Sequence, residues 1–170
     1  VATRALDDCV SMTPISHTLA LGAVAPEALL QRPAPVFPFN LRFDTMDATS
    51  VGKAFGPSSL DTVLCLSTSK WVHLNGGDVA ITQLFETIFA MLAPGGIFLF
   101  EPQPWHSYKR KRHVSETASQ NFAAIRLRPE HFPAYLLDKV GFRACEQLRV
   151  EYSREVSKGI AVRPLYAFFK

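Results

Sequence analysis

The stretch "DTVLCLS" (residues 61–67) is a short, continuous run of mostly apolar side chains that ends on a polar residue. Such a run is typical of a buried strand in a parallel sheet. Further along the chain, "IFLF" (residues 97–100) repeats the pattern and is followed by Glu101. The sequence therefore predicts two nearby parallel strands whose polar ends lie at the same edge of a sheet.

The segment between these strands, residues 79–92, carries apolar side chains at helical spacing. They are Ile81, Leu84, Phe85, Ile88, Phe89 and Leu92. Asp78 is a suitable N-cap for this helix, and Pro94, Gly95 and Gly96 are expected to end it in a turn. A strand, a helix, a turn and a second strand form a βαβ unit, so the pattern predicts an α/β fold.

The flanking segments extend this fold. "GFRACEQLRVEY" (141–152) alternates side chains as a strand does, and "RPLYAFF" (163–169) reads as a final strand, so the two are predicted to form an antiparallel pair at the end of a mostly parallel sheet. Upstream, "VATRAL" (1–6) is predicted to be a strand, residues 15–31 to be helical, and "LRFDT" (41–45) to be a short strand after a proline-rich connector.

The composition fits one domain, residues 1–170, with a hydrophobic core. The longest apolar stretch, residues 88–100, is interrupted by Pro and Gly and is too short to cross a bilayer, so no membrane association is predicted. Cys9, Cys65 and Cys145 lack the spacing of a zinc site or a disulfide framework. We therefore predict no metal and a reducing compartment.

The charge is concentrated in one segment, residues 101–130, which holds six Lys or Arg against three Glu. The rest of the chain is balanced, with twelve basic and twelve acidic residues. Within this segment, "EPQPWHSYKRKRH" (101–113) combines an acid, prolines, aromatic rings and four consecutive cations in one predicted loop. A localised polyanion site is one interpretation, and a nuclear-import signal or a solvated surface is the other.

Several motifs of this chain resemble those of the methylphosphate capping enzymes, RNA methyltransferases of the bicoid-interacting protein family. The resemblance spans roughly residues 36–170 and rests on "LCLSTSKWVHLNGGD" (64–78), "LAPGGIFLFEPQPWHSYKRKRH" (92–113), "RLRPEHF" (126–132) and "VGF" (140–142). It implies a class I, Rossmann-like methyltransferase fold, S-adenosylmethionine as the methyl donor, and methylation of the 5'-terminal phosphate of a small non-coding RNA. It also implies a nuclear location, with an additional cytoplasmic one left open, and a ribonucleoprotein partner such as a La-related protein.

One expected feature of this family does not occur in the sequence. Such enzymes open with a strand and a Gly-rich loop that holds the methionine part of the cofactor, whereas this chain has no such loop and looks as if it starts at the second strand. Two hypotheses follow: an active methyltransferase whose loop lies outside this chain, or an RNA-binding assembly protein that uses the fold as a scaffold.

The resemblance also implies site residues. The cofactor is expected to contact Asp7 or Asp8 through its ribose, Asp47 through its adenine amino group, and the strand end formed by Cys65, Leu66 and Ser67. The expected RNA-binding residues are Lys70, His73, Asn75, Glu101, Gln103, Trp105, Ser107, Tyr108, Lys109, Arg110, Lys111 and Arg112.

Each side chain suits a particular part of this task. The four cations at 109–112 are expected to neutralise terminal phosphates, and Trp105 and Tyr108 to stack on an unpaired base. Glu101 and Gln103 either bond a base edge or fix the loop. A phosphate oxygen is already anionic, so methyl transfer to it needs alignment but no general base.

The SKWVHLN motif is more ambiguous. Trp71 is expected to be a packing residue, because aromatic side chains beside strands usually are. His73 is either an acid or base, or a structural histidine with satisfied hydrogen bonds. Asn75 either bonds the substrate or caps a turn.

Overall fold

The structure, a computed structural model, describes residues 40–149 and 163–170. The chain divides into two compact units, Val1–Met46 and Asp47–Lys170; whether it behaves as a single domain stays a prediction. The predicted strand at 1–6, the predicted helix at 15–31, and Asp7 and Asp8 lie outside the described residues. The predicted strand at 41–45 is wrong, because these residues have no regular secondary structure.

The described part of the second unit contains four strands and three main helices. In chain order its elements are a 3-10 turn (Ala48–Lys53), β1 (Leu60–Leu66), α1 (Ser69–Met91), β2 (Leu92–Glu101), α2 (Trp105–Lys111), α3 (Glu116–Ala124), three short helical pieces (Pro129–His131, Phe132–Tyr135 and Leu136–Val140), β3 (Ala144–Leu148) and β4 (Leu165–Phe169).

The strands form one sheet in the order β1-β2-β4-β3. β1 and β2 are parallel, with α1 between them in the sequence, which confirms the predicted βαβ unit. β4 is antiparallel to both β2 and β3, which confirms the predicted C-terminal pair. In the described part of the sheet, one strand pair is therefore parallel and two are antiparallel.

The Pro-Gly-Gly segment does not form the predicted turn but belongs to β2. The register between the first two strands shifts from Leu60 opposite Leu92 to Thr62 opposite Ile97, so the extra residues form an irregularity inside the strand. Gly96 is required there, since a Cβ atom would lie 2.9 Å from the Ala93 carbonyl oxygen. The close backbone approach explains the glycine better than a turn does.

Helix α1 begins at Ser69, ten residues earlier than predicted, and is kinked at Gly77. Gly77 has φ = +67° and ψ = −166°, a conformation that favours glycine and interrupts the helical backbone. Just before the kink, the Leu74 carbonyl accepts a hydrogen bond from Asn121 Nδ2 at 2.9 Å. A side chain of α3 thus binds a carbonyl that the kink leaves without a regular helical partner.

The main core lies between α1 and one face of the sheet. Phe98, Phe100 and Phe168 project from the strands and are fully buried, and Phe85 of α1 packs edge-on against Phe100 at 5.5 Å. Burial of each such ring contributes about 1.5 to 3 kcal/mol. A second, smaller cluster joins Leu74, Tyr108 and Ala118, linking the first turns of α1 to the two helices that follow β2. None of the described helices is long and apolar enough to cross a membrane.

Candidate functional site

The ends of β1 and β2 meet at one edge of the sheet, as predicted. Leu66 is opposite Glu101 in the register, so the residues that follow both strands start from neighbouring positions. The Ser67 amide donates to the Glu101 carbonyl at 3.2 Å, although Ser67 itself has φ = +56°, which is uncommon for a residue other than glycine. The backbone therefore turns sharply where it leaves β1 at this edge of the sheet.

A network of side-chain hydrogen bonds holds this turn at Ser67. The Ser67 hydroxyl donates to Glu101 Oε1 and accepts from the Arg163 guanidinium, and Arg163 also donates to Glu101 Oε1 at 3.1 Å. Arg163 lies two residues before β4 and was not predicted as a site residue. Sequence reasoning missed it because its partner Glu101 is 62 residues away and only the antiparallel pairing brings the two together.

Gln103 fixes the backbone rather than a base edge. Its side chain is 2% exposed, its Oε1 accepts from the Lys70 amide at 3.1 Å, and its Nε2 donates to the Ser67 carbonyl. The N-cap residue of α1, Thr68, makes no capping bond with its own side chain. Gln103 therefore satisfies an amide at the start of α1 in place of a conventional cap, and the second of its two predicted roles is the one that the contacts support.

Lys70 is a buried cation without a described anionic partner. It is 7% exposed, and its Nζ donates to the Ser107 hydroxyl at 2.9 Å. No carboxylate lies within ion-pair distance of it among residues 40–149 and 163–170. Burial lowers the pKa of Lys70, and the positive charges of Arg163, Lys111 and Arg110 lower it further. Binding an anion would stabilise the charged form of a lysine that is buried without a described carboxylate partner.

The four cations at 109–112 lie on a helix, not in the predicted loop. Lys109, Arg110 and Lys111 form the exposed last turn of α2, where positive charge also complements the helix dipole. Arg112 caps this helix, donates to His113 Nε2 at 2.7 Å and lies 5.6 Å from the Phe122 ring centroid. Of these four cations, Arg110 and Lys111 are the ones that lower the pKa of Lys70.

The predicted stacking residues are largely engaged within the protein. Tyr108 is fully buried, so its ring is not available to a base and that prediction is not supported. Trp105 stacks on Phe122 at 4.7 Å and also lies beneath the Arg128 guanidinium at 5.2 Å. Trp71, which was expected to be a packing residue, is instead 38% exposed. Burial here depends on where α3 lies, which the local sequence does not reveal.

His73 is a structural histidine. It is fully buried, its Nε2 donates to Asp78 Oδ1 at 2.7 Å, and the Tyr108 hydroxyl lies 3.4 Å from its Nδ1. Burial lowers the pKa of His73, although Asp78 opposes this effect, so the imidazole is neutral at pH 7. Because it does not reach the surface, His73 is not placed to contact RNA.

Asp78 bridges two parts of the chain instead of simply capping a helix. Its Oδ1 binds His73, and its Oδ2 accepts from the amides of Arg126 at 2.9 Å and Leu127 at 3.3 Å. Burial raises the pKa of Asp78, but these hydrogen bonds together outweigh that effect and lower it. The capping assignment is therefore corrected: the carboxylate joins the kink of α1 to the segment after α3.

The stability of the fold is expected to decrease in acid because of His73 and Asp78. In the folded chain the pKa of His73 lies below the ordinary histidine value of 6.5, and the pKa of Asp78 lies below the ordinary aspartate value of 3.8, so the unfolded chain binds protons more tightly. We expect the free energy of unfolding to decrease as pH falls below about 6.5 and to decrease again below about 3.8. Urea denaturation between pH 8 and pH 3 measures this. A His73→Gln variant should lose the first decrease, and an unchanged profile would contradict the assignment.

Two of the predicted cofactor residues present side chains to solvent. Leu66, the last residue of β1, is 46% exposed, and Asp47 is exposed, with its Oδ1 accepting from the Thr49 amide at 2.8 Å. Hydrogen bonds from the Thr49 side chain and amide lower the pKa of Asp47, which keeps the carboxylate ionised. Cys65 is buried against the core, and burial raises the pKa of its thiol to about 11.

The remaining predicted residues are Asn75 and Ser107. Asn75 is exposed on α1, whereas Ser107 is 7% exposed and holds Lys70. No cluster of three or more His, Cys, Asp or Glu suited to a metal ion occurs among the described residues.

Comparison with known proteins identifies relatives of this chain. It is 53% identical over 110 residues to a probable RNA methyltransferase of Arabidopsis thaliana, covering 65% of this chain and 34% of that protein. It is 40% identical over 167 residues to the human 7SK snRNA methylphosphate capping enzyme, covering 94% of this chain and 24% of the human protein. The chain thus spans between a quarter and a third of the length of these curated relatives.

A solved structure with a similar backbone is a SAM-dependent methyltransferase from Archaeoglobus fulgidus. It is 14% identical, with a TM-score of 0.46, and the match covers 74% of this chain and 65% of that one.

The sequence pattern of one protein family matches residues 60–170, which include both strands of the βαβ unit, the whole of α1 and the C-terminal strand pair. These residues also contain the Lys70 site and the network around Ser67. The predicted α/β class I methyltransferase fold agrees with the parallel and antiparallel pairings of the sheet. The chain belongs to the Bin3 family, named for Bicoid-interacting protein 3.

Proposed function

We propose that this chain is part of an S-adenosylmethionine-dependent methyltransferase that modifies the 5'-terminal phosphate of a small non-coding RNA. The observation that carries the proposal is Lys70, a buried cation with no described carboxylate partner and with Arg110, Lys111 and Arg163 around it. One acid, Glu101, is present in this group, and it is bound to Arg163. The excess of positive charge is suited to a terminal phosphate.

The chemistry follows from this arrangement. S-adenosylmethionine supplies an electrophilic methyl group when bound, and the acceptor is a phosphate oxygen that is anionic at neutral pH. Lys70 would hold this phosphate, with its ammonium group oriented by the Ser107 hydroxyl. The catalytic requirement is alignment for in-line transfer, which a fixed cation provides and a general base does not. The engagement of His73 with Asp78 is therefore compatible with the reaction, which needs no imidazole base.

Among the described residues, Asp47 and Leu66 are the ones that would hold the cofactor. Asp47 offers an ionised carboxylate that can accept from an amino group, and Leu66 offers apolar surface next to the strand end. Asp7 and Asp8 remain candidates for the ribose hydroxyls.

The names of the relatives support an RNA acceptor. They include 7SK and U6 snRNA methylphosphate capping enzymes and RNA 5'-monophosphate methyltransferases. On this basis we infer a small nuclear RNA as the substrate class, a nuclear location, and assembly with a ribonucleoprotein component such as a La-related protein.

The basic turn of α2 provides a direct test of phosphate recognition. We expect Arg110→Ala combined with Lys111→Ala to weaken binding of a 5'-triphosphate RNA by about tenfold or more, because two charge-assisted contacts are lost. The same RNA with a 5'-hydroxyl end should be affected much less. Filter-binding titrations at several salt concentrations measure both, and the slope of log K against log salt should flatten by roughly 0.7 for each lost phosphate contact.

Lys109→Ala is the matched control. Lys109 is exposed in the same helical turn but is not among the cations that lower the pKa of Lys70. This variant should reduce binding of both RNAs alike and only slightly. Equal losses on both RNAs in the double variant would show that the basic turn binds RNA nonspecifically.

Calorimetry with S-adenosylhomocysteine on the full-length protein separates the two functional hypotheses. If the protein binds RNA but not this cofactor product, the enzyme hypothesis fails and the RNA-binding assembly protein is the hypothesis that remains.

A further inference from the structure

Trp71 is an exposed aromatic ring at the phosphate site. The two rings first expected to stack on RNA are unsuitable, because Tyr108 is fully buried and Trp105 packs on Phe122. Trp71 lies in the first turn of α1, shortly after β1, and is 38% exposed. Its exposed ring offers a flat apolar surface on which another ring can stack.

The ring lies beside the proposed phosphate ligand. The Lys70 Nζ is 4.6 Å from the centroid of the Trp71 ring, so the cation and the aromatic surface form one continuous site. A phosphate held by Lys70 would bring the attached nucleotide to this ring. Phosphate and base of the same terminal residue can therefore be bound by consecutive side chains.

Asn75 adds a polar group on the same helical face. It is exposed and follows Trp71 by four residues within the regular part of α1, before the kink at Gly77. Residues at this spacing are neighbours on a helix surface. The intervening Val72, His73 and Leu74 are buried, so the exposed face offers a ring and an amide together.

We propose that Trp71 stacks on the base of the 5'-terminal nucleotide and that Asn75 hydrogen-bonds the edge of that base. This inference rests on the proposed function, since it requires the 5'-phosphate to bind at Lys70. Unpaired bases are commonly held by aromatic stacking, with amide side chains bonding their edges. The alternative role for Trp71 is to shield Lys70 through a cation–π contact, with no base involved.

The test uses short RNAs with a 5'-phosphate and 2-aminopurine as the first base, because this base loses fluorescence when it stacks. We expect quenching on binding to the full-length protein and its loss in Trp71→Ala. Affinity should fall about 5- to 150-fold, the equivalent of about 1 to 3 kcal/mol per stacked base. Trp71→Phe should retain most of both signals, and Asn75→Ala should weaken affinity while quenching persists.

An RNA whose first nucleotide lacks its base distinguishes the two roles. If Trp71 stacks on the base, Trp71→Ala binds this abasic RNA as well as the unmodified protein does. If the loss is the same on abasic and normal RNA, Trp71 only shields Lys70 and the proposal is overturned. Val79→Ala is the control, since Val79 is 76% exposed on the same helix but beyond the kink, and it should change neither signal.

The outcome also remains separate from that of the proposed function. Preference of the unmodified protein for a 5'-phosphate over a 5'-hydroxyl end tests the phosphate site alone. If that preference is present and Trp71→Ala leaves quenching unchanged, the phosphate site stands and the stacking proposal fails. If that preference is absent, the proposed function fails and the stacking proposal, which depends on it, fails with it.

Discussion

Replacing Asp78 by alanine is expected to destabilise the second unit by about 2 to 4 kcal/mol, because three hydrogen-bonded groups lose their partner at once. The His73 imidazole is fully buried and would keep an unsatisfied Nε2–H, and the amides of Arg126 and Leu127 would lose their acceptor. The segment after α3 would also lose its bond to the kink of α1. Urea denaturation of the variant at pH 7 measures the loss.

Glu86→Ala is the matched control for this prediction. Glu86 is an acidic residue of the same helix that is exposed, and its removal should change stability by less than about 0.5 kcal/mol. Asp78→Asn should give an intermediate result, since an amide oxygen can still accept from a backbone amide but only one of its two terminal atoms is an acceptor. If Asp78→Ala were as stable as the control, Asp78 would be only a solvated helix-terminal residue.

The regular elements could be predicted from the sequence because their patterns are local. The runs at 61–67 and 97–100 are apolar for a strand's length, and the structure has β1 and β2 there. The alternating segment at 141–152 and the final run at 163–169 include β3 and β4. Each prediction needed only neighbouring side chains.

The start of α1 could not be predicted in the same way. Gly76 and Gly77 interrupt the pattern, so the helix was predicted only from residue 79, with Asp78 as its N-cap. In the structure, the helix tolerates the interruption because its first turns are held from outside, by Gln103 at the Lys70 amide and by Asn121 at the Leu74 carbonyl. These partners lie 33 and 47 residues away, beyond the reach of a local pattern.

The position of the candidate site followed from strand polarity, but the contacts of its side chains did not. The ends of β1 and β2 meet at one edge of the sheet, and Lys70, Glu101 and Gln103 are at that edge. Which aromatic ring is exposed depends instead on packing: α3 covers Tyr108 and Trp105, whereas nothing described covers Trp71 to the same degree. Arg163 joins the site only through β4.

Replacing Lys70 by methionine is expected to weaken binding of a 5'-phosphorylated RNA by about 10- to 150-fold, since a charge-assisted bond to phosphate contributes about 1.5 to 3 kcal/mol. Binding of the same RNA with a 5'-hydroxyl end should change little. The methionine side chain retains the apolar stem of lysine, so the packing against Trp71 and the first turn of α1 is largely kept.

The same variant should be at least as stable as the unmodified protein, which distinguishes a ligand-binding lysine from a structural one. Lys70 is buried, its pKa is lowered by burial and by three neighbouring cations, and no described carboxylate offsets this cost. Removing such a charge relieves desolvation and repulsion, although the Ser107 hydroxyl loses its partner. We therefore expect an unchanged or higher Tm by thermal denaturation together with the loss of phosphate binding. Lys109→Met, on the exposed surface of α2, should alter neither quantity appreciably. A lower Tm in Lys70→Met with equal losses on both RNAs would make Lys70 a structural residue, and the phosphate site would then have to lie elsewhere.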